Sequence, residues 1–203
     1  KQQQSKFTGQ SVRAIPIRIL TVGKKRSQGV QLIVDEYMKK LRHYCSVDDV
    51  RIKSNPKNAR DVVAQIEHED IAVMGLIRPD EWVVMLDERG HDVGSEQMAS
   101  LIGDAGNKGA PSLLFCIGGP YGHGRQLRER ANVSVKLSSL VLNHEIALVV
   151  LIEQLYRISI SWNRKKELKR LPNFIQPPSE QLNSGLEYLF EDDFGPHRYH
   201  QRR

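Results

Sequence analysis

One short stretch constrains this chain more than any other. An apolar run, Leu113 to Ile117, stops abruptly in Gly118-Gly119-Pro120-Tyr121-Gly122-His123-Gly124. The run is apolar and partly aromatic, as a buried strand is. Four glycines in seven positions let the backbone reach φ > 0 and approach a ligand with no side chain in the way. Backbone N–H groups in such a turn can hold polar ligand atoms. The spacing matches neither G-x-G-x-x-G nor G-x-x-x-x-G-K-[ST], and Pro120 removes one amide donor. A Gly-Pro turn after a strand, with no ligand, is the plain alternative.

A second segment stands behind the first. Val133 to Leu137 alternates as a strand does, and Ser138-Ser139-Leu140-Val141-Leu142-Asn143 then interleaves small hydroxyls with apolar residues before a helical pattern. Asn143 is a candidate cap for that helix. Such a segment offers backbone polar groups and an apolar wall, which suits an adenine ring. It is equally a strand followed by a capped helix.

The rest of the chain alternates between two periods. Strands are predicted over Pro16–Val22, Val47–Ile52, Trp82–Leu86 and Leu113–Ile117. Helices are predicted over Gln28–Tyr44, Asn58–Leu76, Ser95–Ile102 (ended by Gly103), Gly124–Ala131 and His144–Ile160. Strands alternating with helices predict an α/β fold, a mainly parallel sheet flanked by helices. The turn Asp87-Glu88-Arg89-Gly90 reads as a loop after a strand.

Charge and composition narrow the partner classes. The net charge is +6, with pI about 9.4. A basic surface suits a nucleic acid, because neutralised phosphates release counterions. Cys45 and Cys116 are the two cysteines; they make no disulfide framework, and no metal-site spacing occurs. No apolar stretch approaches a membrane span. Lys1 to Ile15 carries three basic residues and no acidic one, and reads as the end of an organelle-targeting segment or a trimmed terminus.

In order and spacing, these motifs resemble the ribosomal RNA large subunit methyltransferase H family, of the SPOUT class. The matching residues are Ile19-Leu20-Thr21-Val22-Gly23-Lys24, Asp35-Glu36-Tyr37, Val84-Met85-Leu86-Asp87-Glu88-Arg89-Gly90, Ile117-Gly118-Gly119-Pro120-Tyr121-Gly122, Leu137 to His144, and Glu153-Gln154-Leu155-Tyr156-Arg157. The stretch from Val12 to Val22 is most like plant members. The resemblance implies a SPOUT domain over residues 16–160, between a 1–15 leader and a 161–203 extension. It implies a C-terminal trefoil knot, which pattern reading could not supply because knots are nearly absent from proteins.

The implied reaction is N3-methylation of a pseudouridine in the large-subunit rRNA of assembled, bacterial-type ribosomes, by a homodimer using S-adenosylmethionine. A chloroplast or mitochondrion is the expected compartment. The cofactor residues carried over are Leu86, Gly118, Gly119, Gly122, Leu137, Ser138, Ser139, Leu140, Val141 and Leu142. His144, Glu153, Tyr156, Arg157, Tyr199 and His200 are the catalytic candidates, and the general base stays open among His144, Glu153, Tyr156 and the terminal Tyr-His pair. Arg89 is a candidate for an RNA phosphate or the methionine carboxylate.

The tail departs from the family pattern. Family members end soon after the Tyr-Arg pair, in a short segment finishing with Tyr-His. Here Tyr199-His200 follows a long inserted stretch. Either the insertion is a surface loop and the pair returns to the site, or the tail is unrelated and the match accidental. The second case predicts a knotted RNA- or ribosome-binding protein that methylates poorly. Transfer to another RNA, such as tRNA, is the third possibility.

Overall fold

The computed structural model describes residues 15–168. Five strands form one parallel sheet: β1 (Ile17–Gly23), β2 (Val47–Lys53), β3 (Trp82–Asp92), β4 (Leu113–Ile117) and β5 (Val133–Lys136). Their order across the sheet is β2-β1-β4-β3-β5. The connecting helices are α1 (Gln28–Leu41), α2 (Val62–Met74), α3 (Ser95–Asn107) and α4 (Arg125–Arg130), and α5 (His144–Leu168) closes the described chain.

Alternation along each strand builds two cores. Ile17 and Ile19 of β1, Val84 of β3 and Phe115 of β4 pack with Val34, Met38 and Leu41 of α1, Met98 and Ile102 of α3, and Leu148, Leu151 and Leu155 of α5. The opposite face carries Leu20, Val22, Val83, Met85, Leu114 and Cys116 against Val73 of α2 and Leu127 of α4. Side chains two apart share a face, so β1 to β4 each feed both cores, while β5 feeds the first through Val133 and Val135. β4 pairs with β1 on one side and β3 on the other, and all five of its residues are buried. A strand covered on both faces reads as a continuous apolar run. Burial pushes the Cys116 thiol up to about 12, and neither cysteine is in a disulfide.

Several boundaries differ from the sequence reading. Gly103 does not stop α3. The helix continues to Asn107, and Gly109, at φ 78°, ends it with the Ala110 amide donating back to Ala105 O at 3.1 Å, as a left-handed terminal glycine does. Gly103 instead sits where α3 passes Trp162 of α5. α2 starts at Val62, because Asp61 caps it by accepting from the Ala64 amide at 2.9 Å. α5 runs past Ile160 to Leu168. The 1–14 part of the expected leader and most of the 161–203 extension, with Tyr199 and His200, lie outside the described residues.

β3 is the largest departure. Asp87 to Gly90, expected as a loop, lies inside a strand that runs to Asp92. Leu86 and His91 both pair with Val135, so the residues between them form a bulge. A bulge bends the strand and re-aims its side chains. Gly90 makes it possible, since a Cβ there would lie 2.5 Å from the Val135 carbonyl carbon.

Gly90→Ala is therefore expected to lower stability by about 1–3 kcal/mol through forced backbone displacement. Gly29→Ala, where a Cβ meets nothing within 4 Å, should be neutral or stabilising by about 0.5–1 kcal/mol. Urea midpoints of both variants check this; equal midpoints would remove the packing argument.

Candidate functional site

The carboxyl ends of β1, β3, β4 and β5 meet at one edge of the sheet. Open α/β sheets bind ligands at such an edge, where the strand order switches direction. A cavity of about 490 Å³ lies there, within the range of small-molecule sites. Its walls are Leu86 to Arg89 within β3, Ile117 to His123 from the last residue of β4, Arg128 of α4, Val135 to Ser138 and Leu140 to Leu142 from β5 onward, and His144 and Ala147 of α5.

The glycine turn is a tight structure. The Gly122 amide donates to Gly119 O at 3.0 Å, and Gly122 has φ 81°, a conformation that favours glycine. A Cβ on Gly119 would stand 2.8 Å from Glu69 Oε2 and 3.2 Å from Val22. The turn thus lies directly on α2 and β1, with its other side lining the cavity.

Residues the sequence reading passed over fix that turn. Asp70 accepts from the Gln126 amide at 2.7 Å and the Leu127 amide at 3.0 Å, so a side chain of α2 caps α4. A Cβ on Gly124 would collide with the Asp70 carboxyl carbon at 2.3 Å. His123 is buried and its Nε2 lies 2.8 Å from Leu86 O. A carbonyl only accepts, so Nε2 carries the hydrogen and donates. Burial lowers the affinity of this ring for a proton, which keeps it neutral at pH 7. The turn after β4 is thereby tied to β3 just before its bulge.

Asp87 joins the bulge to α4. Its carboxylate lies 2.6 Å from the Arg128 guanidinium and accepts from the Arg89 amide at 2.9 Å. Burial alone would raise this carboxyl, but the Arg89 amide and Arg128 outweigh it and hold it below the usual range. Arg89 itself points outward, its side chain 84% exposed, at the cavity rim.

The segment after β5 supplies the apolar wall. Leu140 and Val141 are 76% and 79% exposed yet line the cavity. The Leu140 amide donates to Ser138 Oγ at 3.0 Å, which turns the chain. Asn143 caps α5, with the Ala147 amide on its carbonyl at 2.8 Å and the Glu145 amide on its Oδ1 at 2.8 Å. Capping falls to Asn143, leaving His144 to face the cavity. A Cβ on Gly23 would come within 2.9 Å of His144 Nε2.

The structure gathers most of the sequence-predicted residues and separates the rest. Leu86, Gly118, Gly119, Gly122, Leu137, Ser138, Leu140, Val141, Leu142 and His144 line the cavity. Ser139 does not; it is exposed outside it. Glu153, Tyr156 and Arg157 do not line it either. At a rise of about 1.5 Å per residue, they lie roughly 13–20 Å down α5 from His144. Glu153 pairs with Arg157 one turn away. Tyr156 meets Tyr37 and Tyr44 edge-on, with centroids 5.8 and 6.1 Å away, and Lys40 lies 5.7 Å from its ring. Tyr156 thus packs where α5 meets α1. Among the described residues no group of three or more His, Cys, Asp or Glu side chains is placed to hold a metal, and no helix is long and apolar enough to cross a membrane.

A family model described as "Predicted SPOUT methyltransferase" matches residues 15–165. The chain belongs to the SPOUT methyltransferase family. It is 63% identical over 162 residues to the Arabidopsis thaliana protein named "Putative RNA methyltransferase At5g10620", covering 80% of this chain and 82% of that one. It is 33% identical to the ribosomal RNA large subunit methyltransferase H of Clostridium novyi, over 70% of this chain and 91% of that one. Among solved structures, the SpoU methyltransferase AviRb from Streptomyces viridochromogenes, in complex with the cofactor AdoMet, aligns with a TM-score of 0.42 at 16% identity. That alignment spans 74% of this SPOUT chain and 60% of AviRb.

The Asp87 contact sets a pH dependence in this SPOUT domain. A carboxyl held below its unfolded value stabilises fully above the unfolded pKa of about 3.9 and loses that contribution as pH falls through the folded value. Asp87→Asn should therefore cost about 1–2 kcal/mol at pH 7 and converge on wild type at an acid pH below the folded value, where the carboxyl is protonated. Urea titrations at both pH values decide this; a difference that persists in acid would assign the cost to packing.

Proposed function

We infer that this protein transfers a methyl group from S-adenosylmethionine to N3 of a pseudouridine in the large-subunit rRNA of bacterial-type ribosomes. The carrying observation is the cavity itself. Its glycine turn and its wall of Leu137, Ser138 and Leu140 to Leu142 occupy one site, in a chain that matches a methyltransferase H over 91% of that protein's length.

The site suits the cofactor on its own geometry. A nucleoside needs a flat apolar surface and polar backbone atoms at its edge, and Leu140 and Val141 are apolar, exposed and beside the turn. Leu86, Leu142 and the glycine turn complete that enclosure. When bound, S-adenosylmethionine supplies a sulfonium methyl to a nucleophile in line with it. No metal is needed for that displacement, and alignment of the reacting atoms is the protein's main contribution.

The pyrimidine N3 must lose its imide proton. Of the titratable candidates in the described chain, His144 is the one that lines the cavity, so an imidazole nitrogen of His144 takes that proton as general base. The target nucleotide must be unstacked to reach it. Leu32 and Ile33 of α1 and Ile146 of α5 are 65%, 42% and 48% exposed. With the Glu153, Tyr156 and Arg157 surface, they support a homodimer through α1 and α5, in which these residues serve the partner's site. The deep trefoil knot belongs to the same reading, as does a plastid or mitochondrial location, where bacterial-type ribosomes reside.

Labelled methyl should pass from S-adenosylmethionine to 70S ribosomes that lack this modification, and digestion should yield N3-methylpseudouridine. Cofactor binding without transfer would overturn the reading, and transfer to free tRNA alone would redirect it to another RNA. Gly119→Arg should abolish cofactor binding, because any side chain there lifts the turn off Glu69 and Val22. His144→Gln should lower kcat by about 10²-fold or more while the fold is kept.

A further inference from the structure

The loop after β2 is a built structure with no role in the site so far described. Asn55 and Asn58 have φ of 48° and 53°, in the left-handed region that Asn adopts more readily than most residues. Asn55 Nδ2 donates to Ala59 O at 2.9 Å, and the Ala59 amide donates to Asn55 Oδ1 at 2.7 Å. The Ser54 amide donates to Gly23 O at 3.1 Å. Glu69 Oε1 accepts from Ser54 Oγ at 2.9 Å, the Asn55 amide at 2.7 Å and Gln65 Nε2 at 2.8 Å. The second carboxylate oxygen, Oε2, is buried with no partner, and it is the atom beneath Gly119. One buried carboxylate thus fixes this loop on one side and abuts the glycine turn on the other.

What the loop presents is charge. Lys53, Lys57 and Arg60 are exposed on it, and Lys24 and Lys25 are exposed after the neighbouring β1. Gly23 pairs with Lys53 in register and lies against His144, which lines the cavity, so the Lys53 and Lys24 end of the cluster is the part nearest to it. Among the described residues none of these five side chains makes an ion pair, whereas Arg18, Arg26, Arg125, Arg128 and Arg157 each do. No acidic residue occurs from Lys53 to Arg60. The next, Asp61, is engaged in capping α2.

We propose that Lys53, Lys57 and Arg60, with Lys24 and Lys25, form a phosphate-binding rim that carries the backbone of the substrate RNA into the cavity. The proposal rests on the RNA methyltransferase reading above. Free cations on a rigid loop lose little order when they meet phosphates, and they fix the register of a strand without reading its sequence. Glu69, bonded to the loop through Oε1 and lying under Gly119 with Oε2, makes the loop and the glycine turn neighbours.

The test is binding of labelled bacterial large-subunit rRNA to the full chain over a series of salt concentrations. The triple variant Lys53→Gln, Lys57→Gln, Arg60→Gln should weaken binding roughly tenfold or more and reduce the salt slope by about 2. Its affinity for S-adenosylmethionine should be unchanged. Lys108→Gln, at the opposite edge of the sheet over Trp82, should leave RNA binding as in wild type. A triple variant that binds RNA like wild type would overturn the rim alone. Loss of cofactor affinity together with RNA affinity would make the loop a structural support instead. If the unaltered protein fails to bind rRNA, the rRNA reading falls and the rim with it.

Discussion

Two adjacent carboxylates near the end of α2 hold the functional edge of the sheet together. Each is nearly inaccessible to water, Glu69 at 3% and Asp70 at 4% exposure. A buried carboxylate is costly unless hydrogen bonds replace its hydration. Asp70 meets that cost with two amides of α4, placing its charge at the positive end of a helix. Glu69 does so with three donors on one oxygen only. Between them they position the loop after β2, the glycine turn and the start of α4. The cavity keeps its shape because these surfaces are referred to one short stretch of a single helix.

The turn at the cavity is also bound from the opposite side. His123 ties it to Leu86, and Arg128 ties α4 to the bulge of β3 through Asp87. These contacts are polar, short and mostly shielded. The apolar residues of the same site behave in the opposite way, with Leu140 and Val141 left open. Rigid polar framing around an exposed apolar wall is what a nucleoside site requires.

Much of this was legible in the sequence, and what was missed has a common cause. The buried run Leu113–Ile117, the glycine turn and the Leu137–Leu142 wall were readable because each is a local pattern with a local meaning. Asn143 as a cap was readable for the same reason. Asp87 to Gly90 read as a loop because the strand resumes beyond this bulge only through His91 and Asp92, whose partners Val135 and Lys136 lie far along the chain. Gly103 suggested a helix end, but packing beside Trp162 overrides a modest propensity cost. Glu69 and Asp70 carried no signal, since an acidic pair on a helix usually faces water. Glu153, Tyr156 and Arg157 entered by family resemblance, and within one chain their helix takes them away from the cavity.

The strand order also sets a sequence of events during synthesis. β1 and β3 share no edge; β4 lies between them. A chain emerging from its N-terminus can pair β1 with β2 early, but β3 has no neighbour until β4 follows. The last wall of the cavity comes later still, between β5 and α5. Non-local pairing of this kind is slow because loop closure precedes the contacts that reward it. A nascent chain therefore carries its basic loop before it owns a pocket, and becomes able to hold a nucleoside only once nearly all of the described domain has left the ribosome.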